Sequence, residues 1–167
     1  MTGVSRPETV TITVNGSRRT ATAGGHLSLL RWLREEAGVT DPKHGCGEGV
    51  CGACAVLVDG LPVASCIVLA AQVDGGQVTT AAGLCGPGGS PGPLQEAFHR
   101  SHAAQCGFCT PGMLVCAAAL LAEGRRLSRP EIREALHGNI CRCTGYGPIV
   151  TAIESAQSEG GAGGAGQ

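Results

Sequence analysis

His44-Gly45-Cys46-Gly47-Glu48-Gly49-Val50-Cys51-Gly52-Ala53-Cys54 packs three cysteines and four glycines into one short loop. Cys66 completes the spacing C-x4-C-x2-C-x11-C. C-x4-C-x2-C with a distant fourth cysteine is the plant-type pattern for a [2Fe–2S] cluster, which takes two thiolates on each iron. A loop wrapped around a compact inorganic core must turn several thiolates inward at once. Glycine permits the positive-φ turns this requires, and it lets backbone N–H groups approach the sulfurs and stabilise their negative charge. A structural zinc site draws instead on paired C-x2-4-C arms. Glu48 is expected to bond the loop backbone rather than act as an acid, and His44 stands outside a set that four cysteines already complete.

Ten cysteines occur in the chain, and four more form a second set. Cys106 and Cys109 make a C-x2-C; Cys141 and Cys143 make a C-x-C far down the sequence. By spacing alone this set suits zinc nearly as well as a cluster. Each pair precedes a candidate helix, whose N-terminal partial positive charge favours thiolate. Neighbours in C-x-C and C-x2-C pairs lie too close for easy mutual bridging, and nothing marks secretion, so a disulfide framework is set aside. Cys116 is expected as a small buried hydrophobe, and Cys85 as a free thiol at a surface or interface. Two redox centres in one small chain point to a protein that passes electrons.

The 167 residues suffice for one ordinary domain or two small ones. A net charge of −1 offers no basic field for nucleic acid or anionic lipid, and 2% aromatic residues leave no base-stacking platform. No run of ~18 apolar residues exists to span a bilayer. Arg18-Arg19 lacks the apolar stretch of an export signal and is read as part of a strand. So many free thiols fit a reducing compartment, and the cytoplasm is expected.

Residues 83–93, Gly-Leu-Cys-Gly-Pro-Gly-Gly-Ser-Pro-Gly-Pro, read as neither helix nor strand and as a linker. The expected organisation is a ferredoxin-like domain over 1–82, the linker over 83–93, a helical domain over 94–157 and a disordered tail over 158–167. Before the linker, strands are expected at 9–14 and 17–22 around Asn15-Gly16, then at 55–58 and 61–65 around Asp59-Gly60, and at 77–80. Leu27, Leu29, Leu30 and Leu33 line a helix that Gly38 ends, and Trp32 packs in this domain or at a subunit contact. After the linker, helices are expected at 94–102, from Thr110, at 129–137 and at 147–156. Thr110 would cap the second helix with Pro111 at its first position, and Met113, Leu114, Ala117, Leu120 and Leu121 would form its apolar side. Ser128 and Glu131 form a capping box for the third, which Gly138 stops. The fold class is thus α+β, a small mixed sheet crossed by one helix and followed by a four-helix bundle. His26, His99, His102 and His137 are expected to be solvated.

Gln105-Cys106-Gly107-Phe108-Cys109-Thr110-Pro111-Gly112-Met113 and Gly138-Asn139-Ile140-Cys141-Arg142-Cys143-Thr144-Gly145-Tyr146 resemble the signature segments of the iron–sulfur subunit of molybdenum hydroxylases, the xanthine dehydrogenase and aldehyde oxidase family. Residues 45–54 resemble the plant-type loop of the same subunit. The resemblance runs over roughly residues 8 to 156 with all eight ligand positions filled. It implies a β-grasp ferredoxin domain and a four-helix bundle, each with a [2Fe–2S] cluster: Cys46, Cys51, Cys54 and Cys66 for the first, Cys106, Cys109, Cys141 and Cys143 for the second. It also implies a large subunit holding a molybdenum–molybdopterin cofactor near Gln105 and Cys143, and a medium subunit holding FAD. Electrons would pass from molybdenum through the bundle cluster and then the ferredoxin-type cluster to FAD, in a dimer of heterotrimers. An amide such as Gln105 can both donate to and accept from a pterin edge; a cap on the cluster loop is its local alternative. Gly147 stands where some relatives carry a longer or basic residue.

Two other classes compete with an oxidoreductase subunit. A free-standing ferredoxin-like carrier would need neither the bundle nor Gln105. A zinc-stabilised interaction module would be colourless and redox-silent. Two small domains have limited cores, so the chain is expected to need a partner for stability and activity.

Overall fold

The computed structural model describes residues 9–23 and 26–158. The expected tail beyond Ser158 lies outside them, and Ser158 itself ends a helix. The first half is a five-stranded mixed sheet: β1 (Thr9–Val14), β2 (Ser17–Thr22), β3 (Ala55–Val58), β4 (Leu61–Ala64) and β5 (Gln77–Thr79), in the order β2-β1-β5-β3-β4. β1 and β5 run parallel with Val14 opposite Val78; the other pairs are antiparallel. Asn15-Gly16 and Asp59-Gly60 make the two expected hairpins. Their φ angles of 50° and 77°, and 48° and 85°, match the right-handed twist of the flanking strands. Arg18 and Arg19 lie on β2.

Period-2 alternation turns Val10, Ile12 and Val14 of β1 inward. They meet Leu29, Trp32, Leu33, Val56 and Val78, all buried. The crossing helix is short: α1 (Leu29–Arg31), capped by Ser28 Oγ, widens at once into a π-helical stretch, Trp32–Glu36. The Ala37 N–H donates to Trp32 O at 2.9 Å, and Gly38 follows at φ 71°.

The second half holds α2 (Pro93–Arg100), α3 (Thr110–Ala122), α4 (Arg129–Ala135) and α5 (Gly147–Ser158). Phe98, Met113, Val115, Ile132, Leu136, Ile149 and Ile153 are buried in its core. Ser128 N–H and Oγ both donate to the Glu131 carboxylate, at 2.8 and 2.6 Å, at the start of α4.

Several expectations need correction. Thr110 does not cap α3: it is the first helical residue, Cys109 holds the cap position, and Thr110 Oγ1 is buried without a hydrogen-bond partner. The apolar surface of α3 is wider than one face, since Val115 is as buried as Met113. The reason is that α3 lies between the other helices and β3, whose Ala55 and Leu57 pack into the helical core. A helix covered on both sides reads as apolar all round. Residues 83–93 are not featureless either. They follow and contain 3-10 turns, Ala81–Leu84 and Pro87–Gly89, and Pro93 already opens α2. Cys85 is a free thiol, half-buried rather than fully exposed, and its sulfur receives Gln95 Nε2 at 3.5 Å.

Candidate metal centres

Cys46, Cys51 and Cys54 sit on the loop between the π-helical stretch and β3, and Cys66 on the turn just past β4. The loop is folded onto itself by Lys43 N–H to Ala53 O at 2.9 Å and by Ala55 N–H to Gly52 O at 3.0 Å. Buried Ser65 donates its hydroxyl to Cys54 O at 2.6 Å, which holds Cys66 beside Cys54. Backbone groups aim at sulfur as the glycines allow. Cys46 N–H points to Cys51 Sγ and Glu48 N–H to Cys46 Sγ, both at 3.4 Å. Glu48 therefore acts through its amide, and its exposed carboxylate makes no hydrogen bond among the described residues. These contacts set the thiol acidities. The Glu48 N–H, with the Cys51 thiol next, pulls Cys46 down to about 6, whereas burial and the neighbouring Cys54 push Cys66 up to about 11.

The second set is assembled from two turns. Cys106 and Cys109 precede α3; Cys141 and Cys143 precede α5. The sulfurs of Cys143 and Cys106 lie 3.6 Å apart, both residues exposed at one end of the helical half. Cys109 faces Cys141 more deeply, and burial lifts its thiol to about 12. Cys141 is also pushed up by burial, but the hydroxyl and N–H of Thr144, at 3.1 and 3.5 Å from its sulfur, bring it below the ordinary thiol value.

The thiols thus form couples: Cys46 with Cys51, Cys54 with Cys66, Cys106 with Cys143, and Cys109 with Cys141. All ten cysteines are free. A separation of 3.6 Å is far beyond a disulfide bond, and it is close to the ~3.8 Å edge of a tetrahedron with metal–sulfur bonds of ~2.3 Å. Two couples per set suit a core of two irons, each taking two thiolates. Among the described residues no three His, Cys, Asp or Glu side chains gather as they would about a single ion. The donor sets fit [2Fe–2S] cores better than mononuclear zinc.

A close seam joins the two sets. Ile140 N–H donates to Cys51 O at 2.9 Å, and Asn139 Nδ2 to Gly52 O at 3.5 Å. A Cβ on Gly112 would stand 2.0 Å from Gly52 O, and one on Gly52, whose φ is 70°, 2.4 Å from both Asn139 Nδ2 and Gly138 O. Only glycine lets these backbones meet. Cys116 lies in this seam near Asn139 and Cys54, its thiol pushed up by burial. The lone tyrosine clamps the Cys141 turn: Tyr146 Oη accepts from Cys141 N–H and donates to Asn139 O, each at 2.9 Å.

Asn139, Thr144 and Tyr146 carry no role in the sequence reading, although Thr144 and Tyr146 bond Cys141 directly and Asn139 ties its segment to Gly52. That position was the available signal. Gln105 is exposed beside Cys106 and makes no hydrogen bond among the described residues, so it does not cap the loop. His26, His44, His99, His102 and His137 are exposed, and Trp32 is buried in the sheet core. Among the described residues, four of the five exposed large apolar ones, Val50, Ile67, Phe108 and Ile140, directly adjoin ligand-set cysteines in sequence.

Comparison with known proteins follows the same division. Residues 12–84 match the 2Fe-2S iron-sulfur cluster binding domain, and residues 80–154 match the [2Fe-2S] binding domain. The nicotine 6-hydroxylase small subunit of Paenarthrobacter nicotinovorans is 47% identical over 150 residues, covering 90% of each chain. The xanthine dehydrogenase iron-sulfur-binding subunit of Escherichia coli O157:H7 is 44% identical over 154 residues, covering 90% of this chain and 96% of that one. A chain of the quinoline 2-oxidoreductase structure from Pseudomonas putida 86 superposes with a TM-score of 0.85 at 42% identity, over 95% of this chain and all of that one.

Proposed function

Because the chain belongs to the iron–sulfur subunits of the molybdenum hydroxylase family, we propose that it relays electrons from a molybdopterin site on a large subunit to FAD on a medium subunit. In this reading Cys46, Cys51, Cys54 and Cys66 hold one [2Fe–2S] cluster, and Cys106, Cys109, Cys141 and Cys143 hold the other. Each such core supplies a one-electron couple whose potential depends on charge, exposure and hydrogen bonds to sulfur. The domains are taken as 1–82 and 94–157 with 83–93 between them, although α2 already opens at Pro93 and α5 runs to Ser158. The assembly is a dimer of heterotrimers in the cytoplasm. No helix among the described residues is long and apolar enough to cross a membrane.

One observation carries the relay. The carbonyl of Cys51 in the first set accepts the N–H of Ile140, whose own carbonyl carbon bonds to Cys141 of the second. Two ligand-bearing segments therefore touch directly, and this hydrogen bond links residues next to or within both sets. The order of the relay is the one that the family resemblance implies. Gln105, Cys106 and Cys143 open one end of the bundle set to the surface, and we propose Gln105 and Cys143 as its contacts with molybdopterin. Val50, Ile67, Phe108 and Ile140 leave apolar surface around both sets. Concentrated apolar exposure of this kind marks a surface that a partner covers, which favours a subunit over a free carrier.

The test is chemical and kinetic. Iron and acid-labile sulfide should each come to about four per chain; stoichiometric zinc would end this reading. In Cys106→Ser a harder oxygen replaces a thiolate. The variant should lose the bundle signal, and substrate should then no longer reduce the flavin in stopped flow. Normal flavin reduction without the bundle cluster would overturn the order.

A further inference from the structure

We propose that the Thr144 hydroxyl donates a hydrogen bond to the Cys141 thiolate and thereby raises the reduction potential of the bundle cluster, with the Tyr146 backbone N–H holding the hydroxyl in that orientation. This rests on the reading that Cys106, Cys109, Cys141 and Cys143 hold a [2Fe–2S] core. Thr144 Oγ1 lies 3.1 Å from Cys141 Sγ. Tyr146 N–H donates to the same oxygen at 3.2 Å. A metal-bound thiolate has no proton to give. The hydroxyl, already accepting from Tyr146, is therefore the donor toward sulfur.

The position of the hydroxyl is enforced from both sides. Thr144 N–H points to the same sulfur at 3.5 Å. Tyr146 takes a left-handed backbone, φ 66°, that few non-glycine residues adopt, and its Oη is fixed by Cys141 N–H and Asn139 O. These clamps fix the turn's backbone, and rotating the Thr144 side chain away would break the Tyr146 N–H contact to its hydroxyl. A hydrogen bond to a ligating sulfur favours the more negative, reduced state and so raises the potential. The hydrogen bonds to Cys46 and Cys51 sulfur in the other set come from backbone amides, which a side-chain substitution other than proline leaves in place. Thr144 is thus a side-chain handle on one cluster alone.

The measurement is a potentiometric titration followed by paramagnetic resonance, on the full chain purified with its native subunits. Thr144→Val should lower the bundle midpoint. At the wild-type midpoint its reduced-to-oxidised ratio should fall about tenfold, or 59 mV for one electron. Thr144→Ser keeps the hydroxyl and should stay near wild type, and the ferredoxin-type midpoint should not move in either. An unchanged or raised midpoint in Thr144→Val, or Thr144→Ser behaving like Thr144→Val, overturns the proposal. If Thr144→Val sheds the cluster, Thr144→Ala is titrated instead; loss of the cluster from both makes the hydroxyl an assembly requirement and also overturns it. Failure of the underlying reading looks different: the wild-type protein itself would then show a single cluster.

Discussion

The ferredoxin-like half carries three of its four thiols on one glycine-rich loop, whereas the helical half draws two couples from turns that only packing brings together. The first site is tuned by its own backbone, through the amides of Cys46 and Glu48. The second adds side chains to its backbone amides, through Thr144 on sulfur and Tyr146 on the turn. The second exists only once α3 and α5 are docked. The difference implies that the bundle site should be the more sensitive to core packing and to single side chains.

Cysteine substitution breaks the comparison most severely. Cys51→Ser should halve the iron from about four per chain to about two and leave the bundle signal reducible by substrate; loss of both signals would show that the sites do not assemble independently.

Thiol reactivity sharpens it. In the freshly chelated chain at pH 7, Cys46 sits above its depressed pKa of about 6 and is mostly thiolate, while Cys109, raised to about 12, is almost wholly protonated. Thiolate is the reactive form, so pulse alkylation should label Cys46 about a hundredfold faster or more. Raising the pH toward 9 should narrow the gap, because the Cys46 fraction is near saturation while that of Cys109 still grows. Equal labelling at pH 7 would contradict the contrast in environments.

Smaller effects test the seam and the strut. Gly112→Ala forces a methyl against Gly52 O and should cost about 1–3 kcal/mol, read as a lower thermal midpoint, with both cluster spectra altered. Ser65→Ala removes one buried hydrogen bond to Cys54 O and should cost about 0.5–1.5 kcal/mol, with a spectral change confined to the ferredoxin-type site.

Strands β1 to β5 and both hairpins were legible because period-2 alternation and Asn-Gly or Asp-Gly turns are local signals. The paired donor sets were legible because cysteine spacing is local within each turn. The role of Thr110 was not, since a threonine before Pro111 reads as a cap from either of two adjacent positions; docking at Cys109 decides which. Nor was the second apolar side of α3, because periodicity reports that a residue is apolar and not which neighbour covers it. Glu48 shows the same limit, with its amide rather than its side chain placed on sulfur.

By itself, then, the sequence determined which cysteines group into two donor sets and where most strands and helices lie. All of these depend on residue type and short-range spacing. Tertiary structure alone decided that the two halves share one seam, with Gly52 against Gly112 and Ile140 N–H on Cys51 O. It also decided that Thr144 and Tyr146 address Cys141. The reason is physical: hydrogen bonds between residues as far apart as Gly52 and Asn139 depend on where packed elements come to rest, and no local pattern encodes that position.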